Sequence, residues 1–226
     1  GVPQTGDDVY FEDSSQSVTE GFDQSAVTLA SLNIAQSFTG NIGDSASYLQ
    51  CGATLLKIGY NNAGGTPAGS SLIKINLGSV QSAVTISNSG VSSDSNKAAI
   101  RLLGTHVSNS LVALKGSISI ANETGEVSTF LTVNSHFVSS KTTDVKMYIG
   151  SGVTLGTLKL VGGDVNCRCA IATLGTVEGG KLRTVGSGTI ETLAVDGGEA
   201  TLNSTGTITT LTIKGVVDFT KTTGAR

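Results

Sequence analysis

Apolar residues of this chain occur in short runs, alternate with polar residues and are separated by glycine-rich turns. The clearest pattern is a motif found four times near the C-terminus, at 155–158, 171–174, 190–193 and 208–211. Its final leucines lie 16, 19 and 18 residues apart, and a Gly-Gly pair follows each of the first three copies. A short period built from Thr, Val, Ile, Leu and Gly is typical of a β-solenoid, in which each repeat forms one coil.

Strand alternation within the repeat predicts which residues face the core. The inward columns are expected to be Leu158, Leu174, Leu193, Leu211 and, two positions later, Leu160, Thr176, Val195, Ile213. After the glycine turns, two more inward columns are expected: Val165, Leu182, Ala200, Val217 and Cys167, Thr184, Leu202, Phe219. Two outward columns are expected to carry charge: Asp164, Lys181, Glu199 and Glu178, Asp196, Lys214. The first of these alternates in sign, which is favourable across neighbouring strands.

The same alternation continues towards the N-terminus, so we predict one continuous all-β solenoid over residues 1–226. Residues 29–34 repeat the motif, and strand-like runs follow at 48–58, 72–77, 84–87, 100–103, 111–120, 130–133 and 145–149. The predicted organisation is a cap or first coil over 1–28, irregular coils with loop insertions over 29–150, regular coils of about 18 residues over 151–219, and a tail or the start of a further segment over 220–226. The expected fold class is a single-stranded parallel β-helix with a right-handed coil.

Composition indicates how such a chain fills its core. It contains 30 Gly, no Trp and only 4% aromatic residues, so small aliphatic side chains must be buried in stacked layers. The net charge of −3 is unevenly spread, because residues 1–56 hold seven acidic residues and no Lys or Arg. These acids could block further stacking on the first coil or contact a neighbour's basic surface. With no basic cluster and no long hydrophobic run, we expect neither nucleic-acid binding nor a membrane span.

Residues with the chemistry of a catalytic or metal site are few. Asp7 and Asp8 are weak candidates for a Ca²⁺ site. Glu178 and Asp196 would stack as an acidic pair, which is interpretable as a catalytic or Ca²⁺ site or as solvated corner charges. His106 and His136 lie in unrelated segments. We therefore predict that the chain is not an enzyme, with no catalytic residues, no cofactor and no metal.

The three cysteines and two loop-like insertions complete the set of candidate residues. Cys167 and Cys169 lie two positions apart in a strand-like run, so their side chains share a face and cannot easily form a disulfide with each other. We interpret all three cysteines, including Cys51, as buried small apolar residues. A disulfide from Cys51 is an alternative. The insertions at 60–70 and 89–97 are either tolerated insertions or a partner-binding surface. The candidate residues of the partner-binding surface are Tyr60, Asn61, Asn62, Thr66, Ser92, Asp94 and Asn96.

The opening GVPQTGDDVYF fits G-x-P-x-x-G-D-D-V-x-F, and the later coils fit T-L-x-V-x-G-G. In both features the chain resembles β-solenoid structural proteins of phages and planctomycetes. The resemblance touches both ends of the chain, and it implies a virion-associated or cell-surface structural protein with no catalytic residues to carry over. In those proteins a Trp precedes the opening glycine, which implies that residues precede Gly1.

These observations lead to three functional hypotheses. The first is a structural virion component, such as a capsid decoration protein or a tail or fibre element, that acts as a rigid homo-oligomeric scaffold. For it we expect a trimer, another structural protein such as a capsid or tail subunit as partner, and localisation in the virion. The second is an extracellular or cell-surface adhesin that binds a glycan through the two insertions. The third, a polysaccharide-active β-helix enzyme, rests on fold analogy and on Glu178 and Asp196.

Overall fold

The computed structural model describes residues 2–61, 69–88, 98–136 and 145–219, and within them the protein is all-β, with no helix. The strands are β1 (Asp8–Phe11), β2 (Asp23–Ala35), β3 (Leu49–Tyr60), β4 (Ile73–Asn76), β5 (Ala83–Ser87), β6 (Ile100–Leu103), β7 (Ser110–Ile120), β8 (Ser128–Ser135), β9 (Val145–Ile149), β10 (Val153–Leu160), β11 (Asp164–Cys167), β12 (Ile171–Val177), β13 (Lys181–Thr184), β14 (Ile190–Val195), β15 (Glu199–Leu202), β16 (Ile208–Ile213) and β17 (Val216–Asp218). All seven strand-like runs predicted between residues 48 and 149 are confirmed.

The strands pair in two ladders, and every pairing among the described strands is parallel. The first ladder runs through β1, β2, the C-terminal part of β3, β5, the N-terminal part of β7, β8, β10, β12, β14 and β16. The second runs through the start of β3, then β4, β6, the C-terminal part of β7, β9, β11, β13, β15 and β17. From β8 onwards each strand pairs with the second strand after it in sequence, so the chain passes alternately between the two ladders.

Strands β3 and β7 are long enough to take part in both ladders. The pairings therefore close a ring through five strands, in the order β3, β4, β6, β7 and β5. In β7 the change of ladder falls at Gly116, whose φ of 128° is a backbone conformation that side chains with a Cβ rarely adopt. The sheet turns a corner at this glycine without interrupting the strand.

The core lies between the inward faces of the two ladders and consists of small aliphatic layers, as the composition predicts. One column of the first ladder places side chains in register at 2% exposure or less: Leu32, Leu56, Val84, Leu111, Val133 and Leu158. Large aromatic side chains enter this core at Phe38 and Phe130, which are both fully buried. Most of the apolar contact therefore comes from stacked Ile, Leu and Val.

The predicted columns of the second ladder are confirmed by the strand register. Val165 pairs with Leu182, Leu182 with Ala200 and Ala200 with Val217, and the first three are buried. Cys167 pairs with Thr184 and Thr184 with Leu202, again all buried. The predicted ends of two columns are wrong, because Ile213 and Phe219 are 47% and 39% exposed. No described strand lies beyond β16 and β17 to cover them.

Both predicted columns of the first ladder are also wrong at β12. Leu158 pairs with Gly175 rather than with Leu174, and Leu160 pairs with Val177 rather than with Thr176. The reason is one additional residue in β12, since Leu155 pairs with Ile171 but Thr157 pairs with Leu174. Such a β-bulge shifts every later residue of the strand by one position, which exchanges the inward and outward faces.

Candidate functional site

The predicted partner-binding residues fall mostly outside the described residues, namely Asn62, Thr66, Ser92, Asp94 and Asn96. Tyr60 ends β3 and is half-buried, with its ring packed edge to face against Tyr10 at a centroid distance of 6.4 Å. Asn61 follows with a φ of 60°, in the left-handed region that Asn tolerates better than most residues. Tyr60 thus contributes to packing at this corner, and Asn61 turns the chain away from β3.

The two candidate metal ligands at the N-terminus bind protein groups separately. Asp7 Oδ2 accepts a hydrogen bond of 2.8 Å from the backbone N–H of Gln4. Asp8 Oδ1 accepts one of 2.5 Å from the hydroxyl of Ser31 on β2. Within the part of the chain that the structure describes, no three His, Cys, Asp or Glu side chains are grouped as metal ligands. The geometry of Asp7 and Asp8 is that of a turn and a strand contact.

The acidic pair weighed as a catalytic or Ca²⁺ site is neutralised by lysines. Glu178 Oε1 lies 2.8 Å from Lys159 Nζ, and Asp196 Oδ1 lies 2.9 Å from Lys214 Nζ. Both pairs are partly exposed, so each contributes at most about 1 kcal/mol to stability. Each pair nevertheless joins residues that are close to 20 positions apart in sequence, and so it connects one turn of the ladder to the next.

The alternating column on the second ladder is confirmed in register, from Asp164 to Lys181 to Glu199. Lys181 Nζ lies 3.3 Å from Glu199 Oε2. The base nearest to Asp164 is Arg183, at 3.9 Å, because the longer guanidinium side chain reaches diagonally across the strand pair. This outer face is therefore a ladder of alternating charges along the stacking direction.

A cluster of polar side chains that lie far apart in sequence forms on the second ladder. We call it the corner cluster, and its members are Tyr48, Lys74, Arg101, Glu123 and Glu126. Strand register makes Lys74 of β4 and Arg101 of β6 direct neighbours. Tyr48 precedes β3, while Glu123 and Glu126 belong to the turn after β7. The cluster therefore brings a loop before β3 and a turn after β7 over the outer surface of β4 and β6.

The contacts within the corner cluster form a continuous network. The Tyr48 hydroxyl donates a hydrogen bond of 2.6 Å to Glu126 Oε1, and Arg101 forms an ion pair with Glu123. Lys74 Nζ lies 4.4 Å from the centre of the Tyr48 ring, in cation–π geometry, and donates a hydrogen bond of 3.2 Å to the carbonyl of Ser45. Glu126 Oε2 also accepts a hydrogen bond of 2.9 Å from the backbone N–H of Glu123, which fixes the turn.

Burial dominates the electrostatics of this cluster. Lys74 is only 1% exposed, and burial lowers the pKa of its ammonium group, against the opposing effect of the Glu123 charge. Burial also raises the pKa of Tyr48, and its hydrogen bond to Glu126 adds to this effect because it favours the protonated phenol. An ammonium group covered in this way cannot reach a ligand in solvent. The cluster consequently holds two loops together rather than presenting charges to a substrate.

Comparisons with known proteins add nothing to this geometry. The chain matches no family model, no curated protein and no solved structure. Within the described residues, no helix could cross a membrane.

Sequence reasoning missed the corner cluster because its members share no motif. Tyr48 and Glu126 are separated by 78 positions, and no spacing rule connects them. Lys74 lies within the run Ile73–Asn76, where alternation predicts an outward side chain but not one covered by a loop. The available signal was limited to a charged residue at matching positions of two similar strands, Lys74 in IKIN and Arg101 in IRLL.

Proposed function

We propose that this chain is a rigid, non-enzymatic structural protein built as a single-stranded parallel β-helix. The observation that carries the proposal is the register of the two ladders, in which successive partners from β9 and β10 onwards lie 16 to 19 residues apart. Val165, Leu182, Ala200 and Val217 are one such series. A chain that returns to the same lateral position after each repeat stacks coils along one axis and makes a stiff rod.

The closed ring of five strands is compatible with the same architecture. In β3, Leu49 and Gln50 pair with β4, whereas residues 55–58 pair with β5. Different parts of one long strand therefore belong to the two faces of a coil. On this interpretation, the ring is the outline of neighbouring coils joined at their corners, and not a separate barrel.

The use of charged side chains also favours a scaffold over an enzyme. Glu178, Asp196 and Glu199 each form an ion pair with a lysine that lies 18 or 19 positions away in sequence. Carboxylates that hydrolyse a glycosidic bond must instead face substrate, with one of them held protonated as the acid. The pairing of these acids with lysines supports a role in connecting coils.

Among structural roles, we propose a component of a virion, such as a capsid decoration protein or a tail or fibre element. The support is the resemblance of the opening segment and of the C-terminal coils to β-solenoid proteins of phages and planctomycetes. The proposed assembly is a homotrimer that attaches to a capsid or tail subunit. The alternative that the test must distinguish is a cell-surface adhesin that binds a glycan.

Light scattering coupled to size-exclusion chromatography tests this proposal. The chain is run over a wide range of concentrations, and the mass of each peak is compared with the 22.8 kDa of one chain. A trimer whose mass does not change with concentration is the expected result. A monomer at every concentration contradicts the oligomeric scaffold. Binding of that monomer to a glycan array would then favour the adhesin.

A further inference from the structure

Two of the three cysteines lie side by side in the core. The Sγ atoms of Cys167 and Cys169 are 3.6 Å apart, and both residues are at most 5% exposed. Cys167 Sγ is also 3.7 Å from the carbonyl oxygen of Cys169. No disulfide joins them. This is a contact between two sulfur atoms and requires only a short movement to become a bond.

The local backbone explains why the two sulfurs meet, against the expectation from strand spacing. Strand β11 ends at Cys167, so Cys169 lies in the corner that leads to β12 and not in an extended strand. Hydrogen bonds hold the end of the strand, from Arg168 N–H to the Ile149 carbonyl and from Val185 N–H to the Cys167 carbonyl, each 2.9 Å long. The corner thus turns Cys169 back towards Cys167.

The neighbouring turn of the chain keeps Cys169 in this position. Gly188 packs against its backbone so closely that a Cβ at residue 188 would lie 2.4 Å from the Cys169 carbonyl carbon and oxygen. Arg168, between the two cysteines, is exposed. The dithiol therefore lies in a tightly packed corner, with Cys167 2% and Cys169 5% exposed.

We propose that Cys167 and Cys169 form a redox-active dithiol that closes to an intrachain disulfide when the folded protein meets a peroxide. The thiolate of one cysteine attacks one peroxide oxygen, which breaks the O–O bond, forms a sulfenic acid and releases hydroxide. The sulfur of the other cysteine then attacks the sulfenic sulfur, and the hydroxyl leaves with the proton of the attacking thiol as water. Two thiols are oxidised and one hydrogen peroxide is reduced to two waters.

The contact between the two sulfurs couples their ionisation, and either sulfur can be the hydrogen-bond donor. A thiol that donates to its neighbour stabilises a thiolate there, which lowers the pKa of Cys167. The same contact, together with burial, raises the pKa of Cys169. One sulfur of the pair can therefore ionise while the other keeps its proton, as a nucleophile and a resolving thiol require.

Cys51 provides an internal comparison within the same chain. It is also buried, and burial raises its pKa, but its Sγ contacts the carbonyl of Gly52 at 3.9 Å instead of another sulfur. Without a neighbouring thiol it has no resolving partner. We expect Cys51 to keep its thiol under conditions that oxidise the pair.

Peptide mapping of the oxidised full-length chain tests the proposal directly. The folded protein is treated with hydrogen peroxide, unfolded, labelled with N-ethylmaleimide and digested with trypsin without reductant. Arg168 lies between the two cysteines, so reduced protein yields the separate labelled peptides 160–168 and 169–181. The expected product keeps these peptides joined, or leaves 160–181 uncut, in either case unlabelled until a reductant is added. The number of labelled cysteines should fall from three to one.

The controls are Cys51→Ala, which should leave the disulfide unchanged, and Cys169→Ser, which should abolish it. Formation at a rate independent of protein concentration is expected for an intrachain bond. The proposal is overturned if residues 167 and 169 both remain labelled after peroxide treatment of the folded chain. It is equally overturned if the sulfurs of this pair become linked to Cys51 or to another molecule.

Discussion

Tyr48 contributes to the corner cluster through both its ring and its hydroxyl. The ring covers the ammonium group of Lys74, and the hydroxyl donates to Glu126. A buried lysine is costly unless its charge is compensated, and a cation–π contact with a carbonyl acceptor supplies that compensation here. Tyr48 consequently couples the burial of Lys74 to the position of a turn 78 residues away.

Replacing Tyr48 with Phe removes the hydroxyl and keeps the ring over Lys74. Because the lost hydrogen bond involves a charged acceptor in a partly buried site, we expect the free energy of unfolding to fall by about 1–2 kcal/mol. Urea unfolding measures this change. Tyr10→Phe is the matched control, since Tyr10 is 57% exposed, and it should change stability by less than about 0.5 kcal/mol. Equal effects of the two substitutions would contradict the role of the cluster.

Alkaline pH should lower the contribution of Tyr48 to folding stability. In the unfolded chain Tyr48 titrates near its ordinary pKa of 10.0, whereas in the folded protein its pKa is raised. The folded state then retains a proton that the unfolded state has lost, so stability present below pH 10 declines as pH rises further. We expect a shallower decline for Tyr48→Phe than for the native chain. Unfolding free energies measured with reductant from about pH 9 to 11 test this, and parallel declines would refute it.

At the level of single residues, sequence reasoning identified side chains by local alternation and missed those positioned by long-range register. The burial of Val165, Leu182 and Cys167 follows from alternation within four-residue strands. The contact of Tyr48 with Lys74 depends on a loop that folds over a strand, which alternation does not encode. The contact between Cys167 and Cys169 depends on where β11 ends, and strand ends are the least predictable part of such a pattern.

The corners between strands impose the tightest steric constraint on each element. Gly163, Gly180 and Gly198 occupy equivalent corners and all have positive φ, at 89°, 71° and 66°. They also lie directly on one another. A Cβ on Gly180 would be 2.4 Å from the Gly163 carbonyl oxygen, and one on Gly198 would be 2.7 Å from that of Gly180. The glycines thus satisfy two needs, the turn itself and the close approach of successive turns.

Gly180→Ala and Gly186→Ala separate these two needs. Both positions have positive φ, so both substitutions should cost about 1–2 kcal/mol in backbone strain. Only at Gly180 would the new Cβ also collide with backbone, since at Gly186 the nearest atom is 3.5 Å away. We expect Gly180→Ala to lower the unfolding free energy by about 1–3 kcal/mol more than Gly186→Ala. Indistinguishable denaturation midpoints would show that the corners are not closely stacked.

At the level of elements, most strands could be predicted and one register could not. The runs 72–77 and 145–149 are confirmed because their apolar alternation is bounded by Ser71 and Gly78 in one case and by Asp144 and Gly150 in the other. The predicted register of β12 was wrong because Leu174 and Gly175 are adjacent in sequence, and the larger residue was expected in the core. The additional residue of a bulge leaves the composition of the repeat unchanged, so only pairing with β10 and β14 reveals it.

For the whole molecule, the proposed stacking of coils would make the stability of each strand depend on its neighbours. An inner strand such as β10 pairs on both sides, with β8 and β12. Strand β16 pairs only with β14 and strand β17 only with β15 within the described part of the chain. Their apolar side chains are correspondingly exposed, with Ile213 at 47% and Val216 at 63%. Within the described residues, each of the last two strands is therefore held from one side only.

Hydrogen exchange should follow this order along the molecule. In a one-dimensional stack, the end opens without disturbing the interior, so β16 and β17 need only local unfolding to exchange. We expect their amides to exchange at least about tenfold faster than those of β10 and β12, as measured by mass spectrometry of peptic peptides. Leu193→Ala, which removes a fully buried side chain between β12 and β16, should accelerate exchange in β16 strongly and in β5 little. A uniform acceleration along the chain would instead indicate one cooperative unit, and the nearest-neighbour description would be wrong.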